Sequence, residues 1–221
     1  MTDTYLLPDG LPRPRLRGLL HLGAFVVALG LGIGLVLVAG FQHAPAFGVY
    51  GLAVAGLFGV SALYHRGRWG PGVRGRLQRL DHSMIFVLIA ATYTPVCVYV
   101  LSDGLGLALL VVVWGGALAA ALLELRRTPA PRGLVVALSI ALGWVALLAL
   151  RSVADELGWV ATALIGLGGM LYTLGAVIYA RRRPDPRPDV FGYHEVFHAL
   201  TIGGAACHYA VIAFWVLPLA G

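Results

Sequence analysis

Apolar residues run along this chain in seven long stretches with short polar connections between them: 19–40, 46–65, 81–101, 105–125, 133–150, 157–180 and 193–219. Each stretch approaches the roughly 20 residues that a helix needs to cross a bilayer. Their length, and the need to satisfy every backbone group internally in hydrocarbon, predict helices rather than strands. Glycines inside the stretches, among them Gly30, Gly32, Gly34, Gly166, Gly168 and Gly169, suit close packing between membrane helices. The pattern predicts an all-α integral membrane protein: a seven-helix bundle (residues 19–221) preceded by a short polar tail (residues 1–18).

Composition agrees. Of the 221 residues 59% are hydrophobic and 12% charged, with a mean hydropathy of +0.85; a soluble domain carries about 25% charged residues. The stretches leave no room for a soluble domain, and the polar, proline-rich start is not expected to be a cleavable signal peptide. Cys97 and Cys207 both fall inside apolar stretches and read as small core residues, not as a disulfide pair.

Charge sets the expected orientation. All 16 basic residues are arginine. Arg13, Arg15 and Arg17 precede the first stretch; Arg66, Arg68, Arg74, Arg76 and Arg79 lie between the second and third. Arg126, Arg127 and Arg132 lie between the fourth and fifth, and Arg181, Arg182, Arg183 and Arg187 between the sixth and seventh. Only Arg151 falls in the alternate connections. By the positive-inside rule the N-terminus is cytoplasmic and the C-terminus outside, which an odd number of spans requires. Arginines in short loops point to orientation and anionic headgroups, not to nucleic acid.

Threaded this way, the scarce polar residues collect at the cytoplasmic face. Ser61 and His65 end the second stretch, Asp81 and His82 begin the third, and His194 and His198 begin the seventh. Ionisable groups at such depth are functional-site candidates. Ser61/His65 and His194/His198 are i, i+4 pairs that each share a helix face. Neutral imidazoles of His65, His194 and His198 can supply the three protein ligands of a catalytic zinc and leave a position for water, whose pKa the metal lowers. Asp81 can fill the fourth position or hold the water as general base, and Ser61 can donate a hydrogen bond to water or an oxyanion. Three histidines with a carboxylate also suit iron or manganese. Taken singly, the residues have plainer readings: interfacial imidazoles, a snorkelling helix end at His65, an N-cap at Asp81, a packing hydroxyl at Ser61. His21, His43 and His82 read as interfacial or supporting residues, and His208 as an interhelical hydrogen-bond donor or acceptor. His194-Glu195-Val196-Phe197-His198 also reads H-E-x-x-H, in which Glu195 would be a metalloprotease base.

Several segments together resemble the hemolysin III family, the bacterial branch of the progestin and adipoQ receptor (PAQR) family. They are Arg17-Gly18-Leu19-Leu20-His21, Ser61-Ala62-Leu63-Tyr64-His65, Arg79-Leu80-Asp81-His82, Ala91-Thr92-Tyr93-Thr94-Pro95 and His194-Glu195-Val196-Phe197-His198. The resemblance runs from about Arg17 to the end. It implies a seven-helix bundle with a cytoplasmic N-terminus and zinc near that face. It also implies ligand roles for His65, His194 and His198, a water-holding role for Asp81 and a place beside the site for Ser61. It makes Glu195 a neighbour of the histidine pair, not a base. Similar motifs occur in alkaline ceramidases, which hydrolyse lipid amides.

The favoured expectation is therefore a zinc-dependent hydrolase of a lipid amide or ester in the cell (inner) membrane, with a role in membrane lipid homeostasis. The alternative is a receptor or membrane-state sensor whose zinc is structural. A pore-forming hemolysin or transporter is less favoured, because the polar residues cluster at one face and line no path.

Overall fold

The computed structural model describes residues 14–126, 128 and 130–220; Arg13 and Arg127 of the arginine count, and residues 1–13 of the tail, lie outside them. Regular structure among the described residues is helical, apart from one isolated bridge between Arg187 and Phe191. Six α-helices follow in order: α1 Leu19–Arg66, α2 Pro71–Tyr99, α3 Asp103–Leu125, α4 Arg132–Trp144, α5 Leu150–Arg181 and α6 Tyr193–Val211. A short 3-10 segment, Val145–Ala149, joins α4 to α5, and a wide π turn, Ile212–Val216, extends α6. Five helical units are long and apolar enough to cross a membrane. The chain is an integral membrane helical bundle.

The 48 residues of α1 are not one rod. Gly40 has φ 73 and ψ 170, a left-handed conformation that costs glycine little and breaks the helix. The two halves then pack side by side. A Cβ on Gly32 would sit 3.2 Å from the Gly51 Cα, one on Gly59 would meet the Phe25 ring at 2.9 Å, and one on Gly18 would meet the His65 Cβ at 2.7 Å. These contacts step in opposite directions from the break, so α1 is an antiparallel hairpin whose return brings His65 beside the start of the first half. Gly158 (φ 79, ψ 166) breaks α5 in the same way. Trp144 Nε1–H donates to Thr173 Oγ1 at 3.0 Å, and the Arg132 guanidinium lies 4.6 Å over the Tyr179 ring, so α4 runs antiparallel to the second half of α5.

One element begins earlier than the apolar pattern indicates. α2 starts at Pro71, with proline in its first turn, and carries Arg74, Arg76 and Arg79 as helical residues. Asp81 therefore sits three turns inside α2 and is not a helix cap. Helix propagation needs backbone hydrogen bonds, not apolar side chains, so α2 extends through the arginines that hydropathy assigns to a loop. α3 runs back along α2: Trp114 Nε1–H donates to Thr94 Oγ1 at 3.1 Å near one end, and His82 Nδ1 pairs with Glu124 Oε2 at 3.0 Å near the other. Between α5 and α6 the small residues Gly168, Gly175 and Gly204 face His208, Phe197 and Tyr172. Cys97 and Cys207 are both free thiols.

The bare backbone contact between Gly32 and Gly51 makes a specific demand. Leucine at Gly51 would force the halves of α1 apart, an overpacking cost of about 1–3 kcal/mol, or roughly 3–10 °C in melting temperature. Leucine at Gly30, where a Cβ meets nothing within 4 Å, should leave the melting temperature unchanged. Thermal unfolding of both variants in detergent measures the difference.

Candidate metal centre

Three elements deliver the site. The return half of α1 ends in Ser61 and His65, α2 contributes Asp81 from its third turn, and α6 contributes His194 and His198 from its first two turns. The i, i+4 spacing of His194 and His198 puts both rings on one face of α6. The hairpin of α1 carries His65 to them across 129 residues of sequence. Nε2 of His65 lies 3.1 Å from Nε2 of His194, and ring centroids of His65 and His194 are 5.1 and 4.5 Å from that of His198. One ligand nitrogen from each of the three lies within 4.8 Å of the other two. A first-row divalent ion bound by imidazoles at 2.0–2.1 Å in tetrahedral geometry separates its nitrogens by about 3.3 Å. The three buried histidines therefore fit a metal ion in spacing and in donor type.

Asp81 and Ser61 border this cluster. Asp81 Oδ2 is 3.8 Å from His65 Nε2, and the Ser61 hydroxyl hydrogen-bonds the Asp81 carboxylate. At that distance the carboxylate is within reach of an ion held by the histidines, directly or through one water. The five residues expected to form the metal site, Ser61, His65, Asp81, His194 and His198, meet at one place.

Glu195 is elsewhere. Its Oε1 lies 2.6 Å from Nε of the buried Arg17, and its Oε2 accepts the Gly192 backbone N–H at 2.9 Å. Both oxygens are thus committed to an ion pair and to the N-terminal cap of α6, a placement the helix dipole favours. The chain before α1 is also tied to the connection before α6: Arg15 N–H donates to the Asp189 carbonyl at 3.0 Å and Leu16 N–H to the Val190 carbonyl at 3.2 Å. His21 stacks on His198 with ring centroids 3.6 Å apart. The start of α6, with His194 and His198, is therefore braced by Arg17, Glu195 and His21.

A further polar group adjoins the centre. His82 Nδ1 pairs with the buried Glu124, its Nε2 lies 3.5 Å from the Tyr179 hydroxyl, and the Tyr179 ring is 5.7 Å from that of His194. Arg17, Glu124 and Tyr179 are the residues near the site to which the sequence reading gave no role there. Glu124 carried a signal, as the one carboxylate in its apolar stretch; Tyr179 carried none, because tyrosine is common near the ends of membrane helices. The other histidines are paired locally, His43 Nδ1 with the Tyr99 hydroxyl at 3.1 Å and His208 Nε2 with the Ile165 carbonyl at 3.2 Å.

From the histidine cluster a cavity of about 610 Å³ runs between the helices. Ser61, His65, Asp81, His194 and His198 line one end, and Leu101, Leu109, Ala149, Leu150 and Val153 line the other. Its volume is that of a typical small-molecule site, and its walls are mainly apolar.

Comparison with known proteins identifies the family. The family described as Haemolysin-III related matches residues 10–209. The protein named Hemolysin-3 in Bacillus cereus is 31% identical over 178 residues, covering 79% of this chain and 77% of its own. The Hemolysin-3 homolog of Bacillus subtilis (strain 168) is 28% identical over 173 residues, 78% of each chain. A shorter match, 46% identical over 48 residues, links 20% of the chain to 13% of Heptahelical transmembrane protein 5 of Arabidopsis thaliana. With the profile spanning nearly its whole length, the chain belongs to the hemolysin III-related family of multi-pass membrane proteins.

Proposed function

We propose that this protein is a zinc-dependent hydrolase of a lipid amide or ester in the cell (inner) membrane. The observation that carries the reading is the cavity, which joins three converging imidazoles to a long apolar interior. Along α2 the rise from Asp81 to Cys97, both lining that cavity, is about 24 Å of helix, long enough for an extended acyl chain. The glycine breaks in α1 and α5 support seven passes, with residues 1–18 as a cytoplasmic tail, residues 19–221 as the membrane domain and the C-terminus outside. The name of the Arabidopsis relative, heptahelical, is in keeping with that count.

His65, His194 and His198 would hold the zinc, which when bound supplies Lewis-acid activation of water and of a carbonyl. The chain's own groups divide the remaining work. Asp81 accepts the proton that water must lose; the Ser61 hydroxyl orients that carboxylate beforehand and, once Asp81 is protonated, is released to donate to the developing oxyanion. The acyl chain lies in the apolar cavity and excludes bulk water from the carbonyl. A membrane lipid is thus the partner, and nucleic acid is not. The protease reading is disfavoured because Glu195 is spent on Arg17 and Gly192. The structural-zinc reading draws on the 3.8 Å between Asp81 and His65, which permits a closed fourth position.

Metal analysis of the purified protein should find about one zinc per chain, lost in the His194→Ala/His198→Ala double variant. A folded wild type that holds no metal after purification with added zinc would refute the proposal. Asp81→Asn should retain zinc and lower hydrolysis of a lipid amide at least about 100-fold. Retained turnover in that variant would mean a different base. Glu195→Gln should retain zinc and turnover but melt several degrees lower, since it leaves Arg17 buried without its counter-charge, a loss of about 3–5 kcal/mol.

For orientation, a fluorescent protein that matures only in the cytoplasm should glow when fused to the N-terminus and stay dark at the C-terminus. Alkaline phosphatase at the C-terminus should be active. The reverse pattern would overturn the topology.

A further inference from the structure

We propose that the cavity selects amphiphiles whose headgroup is anionic, and that Arg74 and Arg132 recognise that headgroup beside the histidine cluster. The proposal rests on the reading of the cavity as a lipid site and names the class of lipid it takes.

Charge is distributed unevenly along the cavity wall. Besides imidazoles, the described charged residues that line it are Arg17, Arg74, Arg132 and Arg182 against a single carboxylate, Asp81. All five belong to the histidine end. Arg17 already faces Glu195. The Arg74 guanidinium lies 5.4 Å over the ring of Tyr64, the residue before His65. That of Arg132 lies 4.6 Å over the ring of Tyr179, which is itself 5.7 Å from the His194 ring and hydrogen-bonds Arg132. Arg182 follows three residues after Tyr179. The far end of the cavity is apolar.

Topology alone does not account for this placement. The positive-inside rule requires arginines near this face, and Arg66, Arg76, Arg79 and Arg181 satisfy it without lining the cavity. Arg74 and Arg132 instead cover tyrosines of the cavity wall. Stacking occupies the face of the Arg132 guanidinium, and its edge carries donors spaced for a carboxylate or phosphate, while Arg74 adds positive charge at the same end. A divalent ion on three neutral imidazoles would add two further positive charges, leaving Asp81 the one lining carboxylate to oppose them. A neutral headgroup would leave that field unbalanced, whereas an anionic one would meet it.

Binding to purified, zinc-loaded protein tests the proposal with two matched pairs. N-palmitoylglycine and N-palmitoylethanolamine share the acyl amide and differ in a head carboxylate or hydroxyl. Palmitoyl lysophosphatidic acid and monopalmitoylglycerol make the corresponding comparison for phosphate. At least one anionic member should bind about tenfold or more tightly than its neutral counterpart, and which one does so distinguishes a carboxylate from a phosphate head. In Arg132→Gln and in Arg74→Gln the ratio should fall towards one with zinc content unchanged; in Arg76→Gln, outside the cavity, it should persist. Equal affinities within both pairs, or a ratio that survives both cavity substitutions, would overturn the proposal. Failure of every ligand to bind would overturn it together with the lipid-site reading. Selective binding without turnover would count against the hydrolase alone.

Discussion

The close antiparallel contact within α1 is the constraint on which the site depends. Gly32 and Gly51 meet backbone to backbone, and a Cβ on either would come within 3.0–3.2 Å of the other's Cα and press the halves apart. Without this fold-back, His65 would end a helix far from residue 18. With it, His65 returns beside the start of α1, where Arg17 and His21 in turn contact α6. One contact between two small residues thus registers three parts of the polypeptide. In hydrocarbon such packing matters more than in water, because lipid tails provide no hydrophobic drive for helices to associate.

Low dielectric accounts for the rest of the arrangement. An ionisable group here needs a partner, and the partners occur in layers. The histidines face one another and Asp81, Asp81 accepts from Ser61, His82 meets Glu124, and Glu195 meets Arg17 and the first turn of α6. The ion pair and the cap hold α6 by its first turn, which carries His194 and leads into His198. The H-E-x-x-H pattern then combines two separate features: two histidines on one face that join the His65 cluster, and a carboxylate at the helix start that pairs with Arg17 and the Gly192 N–H.

Much of this was legible in the sequence. The break positions were visible because Gly40 ends an apolar stretch and Gly158 nearly begins one. The five site residues were visible because polar groups inside apolar stretches are rare, and i, i+4 spacing identifies a shared face. What escaped had physical reasons. The start of α2 was hidden because a helix continues through arginines that hydropathy counts as loop. Arg17 looked like any basic flank, since a sequence does not show which of many arginines is buried. Tyr179 and Arg132 lie 47 residues apart and acquire meaning only through the stacking that joins α4 to α5.

The three clustered histidines also come from opposite parts of the chain, with His65 near the end of the α1 hairpin and His194 and His198 in α6. A chain emerging from the ribosome exposes His65 long before α6 has entered the bilayer, and one imidazole alone is a poor ligand set. The complete centre exists only after the final helix has inserted and docked against the first. An ion taken up by this cluster would therefore mark completion of assembly: a chain stalled or truncated before α6 lacks two of the three imidazoles, and an ion held by all three would tie α6 to α1 and resist its withdrawal.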